Sequence, residues 1–264
     1  RHEPRPSADA EPMSDQVAAL ARTIAEAHRN TERYGLLYPP CPDGLPDALA
    51  EMTTTHWIVF EPDPTRAEAL RKRWTDSGLY GRRISLVQRG LPDLHTAPYL
   101  AAVSVLPDPP EETAQLLGVW ERVRPYGGRL FFPAATAERL TRALDTEAQA
   151  QFFAADSVGW QELRREGALP GAANWTHQYG DPANTVKSDD LRVRLPLGLL
   201  WFGGSSNLDV LPRHGHGPPE QIVGGRLFIQ GLDCLSARDV YTGQVIWKRE
   251  LPKLDTYGVY YDHT

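Results

Sequence analysis

His214 and His216 stand two positions apart in Arg213-His214-Gly215-His216-Gly217, the sharpest cluster of chemistry-bearing residues in the sequence. In an extended chain, residues i and i+2 point to the same side, so the two imidazoles form a candidate metal pair. Asp209 or His177 is the candidate third ligand. The flanking Leu211-Pro212 and Pro218-Pro219 suit a solvated turn equally well, and no fixed-spacing zinc motif accompanies the pair. Glu61 is the second candidate. It closes the apolar run His56–Phe60 and precedes Pro62-Asp63-Pro64, where a carboxylate serves either a ligand or a helix N-terminus. Cys41 and Cys234 lie far apart without a CxxC spacing, so free thiols are expected ahead of a disulfide. There is no Gly-x-Ser-x-Gly nucleophile elbow and no phosphate-binding Gly-x-x-x-x-Gly-Lys.

The elements that would position these residues change character along the chain. Ser14 caps a helix whose apolar face is Val17, Leu20, Ala21, Ile24 and Ala27. A short apolar run at 35–38 leads into a turn with Pro39, Pro40 and Pro42, then a short helix over 45–52. Beyond the strand at 56–60, Asp63 is a natural N-cap and Pro64 a natural first helical residue. That helix buries Ala67, Leu70 and Trp74 and stops at Gly78. Strands over 83–88, 99–106 and 129–132 alternate with helices over 111–124 and 136–149, and strands at 151–155 and 160–165 follow. Such alternation predicts a mostly parallel sheet covered by helices on both faces. From Asn174 onward, strands expected at 197–202, 225–230, 235–240 and 244–249 alternate with Gly, Pro and Asn turns, which is all-β text. The expected divisions are a tail and helix over 1–33, an α/β domain over 34–167 and a β segment over 168–264.

The 264 residues carry a formal net charge of −6 and no basic run longer than Arg71-Lys72-Arg73, expected on the solvated face of its helix. Little attraction to nucleic acid or anionic lipid follows. The longest apolar stretch, Leu195 to Gly204, falls far short of the ~20 residues that span a bilayer, so no transmembrane segment is expected.

Three pieces of the α/β half resemble the Rossmann-like fold of S-adenosylmethionine-dependent methyltransferases: Trp57–Asp63, Trp120–Arg124 and Pro125–Leu130. The resemblance implies that Glu61 takes the ribose hydroxyls of the cofactor, with Tyr38, Asp43 and Gly44 in the loop beside it. Two features depart from the family pattern. The family's loop is glycine-rich, whereas this one has three prolines, which lack N–H groups and fix φ. Arg89 also stands where an acidic contact to adenine belongs, and Asp93 comes late.

Gly225–Gln230 followed by Ala237–Trp247 resembles one repeat of the quinoprotein (PQQ-like) β-propeller family, with Asp239 and Thr242-Gly243 at a hairpin and Trp247 as a packing residue. Trp175 to Thr185 resembles the entry of such propellers. A propeller needs four to eight blades and one repeat is visible, so the chain is expected to be the front of a longer polypeptide or to be completed by other subunits. One repeat does not support pyrroloquinoline quinone binding. Together these resemblances imply a degenerate methyltransferase-like domain fused to the start of a propeller. The expected role is a non-catalytic scaffold working in a protein assembly in the periplasm or outside the cell, without a cofactor. A S-adenosylmethionine-dependent methyltransferase and a fragment of a quinone-dependent oxidoreductase are the alternatives.

Overall fold

The computed structural model describes residues 13–28, 33–93, 95–144, 150–154, 159–202, 209–211 and 218–254. The chain divides into two compact units, the first ending at Glu166 and the second beginning at Gly167.

In the first unit, short apolar strands alternate with helices. The order is α1 (Asp15–His28), β1 (Tyr34–Leu37), α2 (Leu45–Met52), β2 (His56–Phe60), α3 (Pro64–Asp76), β3 (Ile84–Val87) and β4 (Ala101–Val105). Then come α4 (Thr113–Arg122), β5 (Gly128–Pro133), α5 (Ala137–Leu144), β6 (Ala150–Ala154) and β7 (Trp160–Arg165). The sheet runs β3-β2-β1-β4-β5-β7-β6, with β1 to β5 parallel and β7 antiparallel to both of its neighbours.

Successive strand residues point to opposite faces, and both faces are buried. Leu37, Val59, Val103 and Phe131 join Leu20, Ile24, Leu49 and Trp74 of α1, α2 and α3 in one core. Leu36, Phe60, Leu130 and Phe132 join Leu116, Trp120 and Leu140 of α4 and α5 in the other. This is the doubly covered, Rossmann-like α/β architecture expected from the alternation.

The second unit is all-β, as expected. It contains β8 (Gln221–Val223), β9 (Arg226–Gln230), β10 (Cys234–Asp239) and β11 (Val245–Glu250), one antiparallel sheet ordered β11-β10-β9-β8. Gly224 and Gly225, at φ 57° and 71°, make the tight β8–β9 turn. The strand expected over 197–202 does not form: its described residues, Leu197 to Phe202, follow an irregular path and are mostly exposed. Alternation alone does not make a strand where no neighbouring backbone pairs with it. Strand β8, absent from the sequence expectation, forms because β9 supplies that neighbour.

Candidate functional site

Strand order reverses between β1 and β4, which places a crevice outside their carboxyl ends. The loop after β1 and the residues after β2 border it. Glu61 follows β2 directly, and its backbone N–H donates to the Val87 carbonyl, extending the ladder to β3 by one bond. Its side chain is buried, at 4% exposure. Oε1 accepts the Asp63 backbone N–H at 2.9 Å, and Oε2 lies 3.5 Å from Nε of Arg66. Asp63 caps α3 by accepting the Arg66 backbone N–H at 2.7 Å, as its place before Pro64 predicts.

That cap fixes where Arg66 points. Its guanidinium donates to the Cys41 carbonyl at 3.0 Å and to Asp43 Oδ1 at 2.6 Å while facing Glu61. One side chain of α3 thus fastens the loop after β1 to the carboxylate after β2. Sequence reasoning missed Arg66, because the partners it holds in the loop lie more than 20 positions away.

The other candidates have separate surroundings. Tyr38 is wholly buried and stacks on Phe60, and its backbone N–H donates to the Val105 carbonyl, closing β1 onto β4 beyond the strand. Burial pushes the Tyr38 phenol above its ordinary pKa, with the Ser104 hydroxyl facing it. Asp43 is exposed and paired with Arg66. Gly44 is the N-cap of α2 at φ 74°, a left-handed conformation that glycine adopts without strain. The peptide bond between Pro39 and Pro40 is cis. Cys41 and Cys234 are both buried free thiols, and burial raises the pKa of Cys41. Arg89 and Asp93 are exposed.

His214 and His216 lie outside the described residues. Of their candidate partners, Asp209 forms an ion pair with Lys248 at 2.9 Å, and exposed His177 contacts the Thr176 hydroxyl at 2.8 Å. No group of three or more metal-ligating side chains occurs among the described residues. Among the same residues, no helix is long and apolar enough to cross a membrane.

A cavity of about 540 Å³ lies outside the carboxyl ends of β4 and β5, at the first turns of α4 and α5. Glu111, Thr113, Thr136, Arg139 and Arg142 line it. Arg139 pairs with Glu111 and donates to the Pro109 carbonyl at 2.5 Å, pinning the loop after β4. Sequence reasoning did not single out these residues either, since the cavity exists only once the two loops meet.

No protein-family model matches the sequence, and no curated protein matches it. Similar solved structures include a putative S-adenosyl-L-methionine-dependent methyltransferase from Methanococcus maripaludis, at 14% identity and TM-score 0.47, covering 59% of this chain and 89% of that one. The tRNA (m1A58) methyltransferase TrmI from Aquifex aeolicus matches at 11% identity and TM-score 0.45, covering 62% and 71%. The 23S rRNA methyltransferase ErmE matches at 16% identity and TM-score 0.44, covering 59% and 70%. The fold assignment rests on the strand order and the doubly covered sheet.

Proposed function

We propose that the first unit is a non-catalytic binding module built on the methyltransferase-type Rossmann fold, and that the chain works within a protein assembly. The observation that carries this is the Arg66 clasp. A carboxylate that receives a ribose diol must be open to the crevice, and Glu61 is 4% exposed, with Oε1 accepting the Asp63 N–H and the Arg66 guanidinium standing 3.5 Å from Oε2. Tyr38 adds to the closure by filling the end of β1 with a buried aromatic ring. Pro39, Pro40 and Pro42 remove the backbone donors that a cofactor's carboxylate would require. The four-stranded sheet of the second unit is, in this reading, one propeller-type blade serving the same assembly.

Binding of S-adenosylmethionine is the second reading, favoured by the strand order and by a buried carboxylate directly after β2. Arg66 is 36% exposed, so swinging it into water costs only about 1 kcal/mol.

Calorimetric titration with S-adenosylmethionine and its demethylated product separates the two readings. The binding-module reading expects no heat of binding. Micromolar binding that disappears in Glu61→Ala overturns it in favour of the second.

A further inference from the structure

Residues 191–202 of the second unit read Leu-Arg-Val-Arg-Leu-Pro-Leu-Gly-Leu-Leu-Trp-Phe. Leu191, Val193, Leu195, Leu197 and Leu199 occupy every second position, and each is at least 70% exposed. Phe202 is 92% exposed. A period of two is the side-chain period of a β-strand. An apolar stripe of this size facing water marks an interaction surface.

The segment is held at both ends. The Leu191 N–H donates to the Gly171 carbonyl at 2.8 Å, and Asp190 Oδ1 accepts the Arg192 and Val193 N–H groups at 2.7 and 3.0 Å. At the far end, Trp201 Nε1 donates to the Val240 carbonyl at 2.9 Å. Its ring covers Gly243 so closely that a Cβ there would stand 2.4 Å away. Between these anchors, residues 195–200 make no hydrogen bond among the described residues. The result is a tethered arm with strand-like patterning and an unpaired backbone.

The same unit has an open place for such an arm. At one edge of its sheet, β8 is met by Trp175, whose backbone exchanges hydrogen bonds of 2.9 Å with Ile222. At the other edge, nothing among the described residues pairs with the outer side of β11, where Trp247 is 36% exposed and Leu251 just beyond is 40% exposed.

We infer that residues 191–202 are an arm donated to β11 of a second copy of this chain, in a reciprocal two-fold exchange. An antiparallel approach brings Arg192 and Arg194 to the Glu250 end of β11, and Leu197, Leu199 and Phe202 to the end with Val245 and Trp247. Glu250 is 68% exposed; its Oε1 pairs with Lys248 at 3.2 Å, and its Oε2 is the acceptor for an arginine of the arm. Pro196 suits an arm bonded on one side, since proline within sheets is confined to edge strands. The area is sufficient as well. With on the order of 100 Å² of apolar surface per large side chain, the six of each arm that are at least 70% exposed offer about 600 Å². Two exchanged arms with the edges they cover therefore reach the roughly 1,200–2,000 Å² of a stable interface. This inference rests on the assembly part of the proposed function and not on the closed crevice.

The test is the mass of the full chain in solution, by sedimentation and native mass spectrometry across a concentration series. A dimer is expected, with self-association weakened by about tenfold or more in Leu195→Glu/Leu197→Glu, as for loss of apolar anchors from an interface. Both side chains are exposed, so circular dichroism should show the fold unchanged. Glu250→Arg should weaken the dimer, and adding Arg194→Glu should restore it. A wild-type chain that stays monomeric at hundreds of micromolar overturns the inference, as does a dimer indifferent to the arm variants. None of these readouts depends on S-adenosylmethionine binding, so either proposal can fail alone.

Discussion

Tyr38 and Phe60 stack face to face at the ends of adjacent strands, with 5.4 Å between ring centroids and 7° between planes. Tyr38 follows β1 and Phe60 ends β2, and both rings belong to the core packed against α4 and α5. Both rings are fully buried. Tyr38→Ala removes one ring from a close-packed interior and leaves a cavity, which should cost about 3–5 kcal/mol. Tyr38→Phe keeps the stack and loses only the hydroxyl facing Ser104, with a change of about 1 kcal/mol or less. Urea denaturation of the two variants measures the difference. Equal losses would show that the hydroxyl, and not the stack, supports this part of the core.

What could be read in advance follows the range of the interaction. The cap of α3 was legible, because Asp63, Pro64 and Arg66 are neighbours in sequence and the bond runs between them. The same stretch does not reveal that the Arg66 side chain crosses to Cys41 and Asp43, since α3 must first pack beside the loop after β1. The face of α1 was legible in part. Leu20, Ala21 and Ile24 are buried as the period predicts, but Ala25 and His28 take the place expected for Ala27. Burying His28 is a choice that hydropathy argues against and that packing beside the sheet imposes. The segment at 197–202 shows the converse, where apolar residues expected to form a strand stay irregular because pairing also needs a second stretch of backbone beside them.

Arg66→Ala tests whether the clasp alone closes the crevice. The pair is partly exposed, so the stability loss should be at most about 1 kcal/mol. S-adenosylmethionine should still fail to bind, because Tyr38 and the prolines remain in place. Calorimetric binding to Arg66→Ala but not to the wild type would show that the guanidinium is the only obstacle, and the crevice would then be a latched cofactor site.

His28 should make the fold acid-sensitive before any carboxylate does. Burial, reinforced by Arg129, Arg33 and Arg124, lowers its pKa from 6.5 to about 4. The unfolded chain therefore takes up the proton first as pH falls. The stability from keeping His28 neutral is complete above pH 6.5, declines between there and about pH 4, and is flat below. A shift of this size corresponds to roughly 3 kcal/mol. Unfolding midpoints measured from pH 7 to 4 should show this slope in the wild type and a much shallower one in His28→Gln, where half-buried His56, also lowered by burial, still contributes. A parallel decline in both proteins would place the acid sensitivity elsewhere.

Gly35, in the middle of β1, offers a test whose sign is informative. Replacing a strand glycine by alanine ordinarily stabilises by about 0.5–1 kcal/mol through lost unfolded-state entropy. Here a Cβ would stand 2.4 Å from the six-membered ring of Trp57, which is fully buried and held through Nε1 by the Thr53 hydroxyl at 3.2 Å. The indole cannot retreat without breaking that bond and displacing the core around it. Gly35→Ala should therefore destabilise by about 1–3 kcal/mol. Trp57→Leu leaves room for the methyl group, so Gly35→Ala should cost much less in that background than in the wild type. Equilibrium denaturation of the two single variants and the double variant closes the cycle. Additive losses would mean that the two residues do not share the space the structure gives them, and the packing of β1 against β2 would need a different explanation.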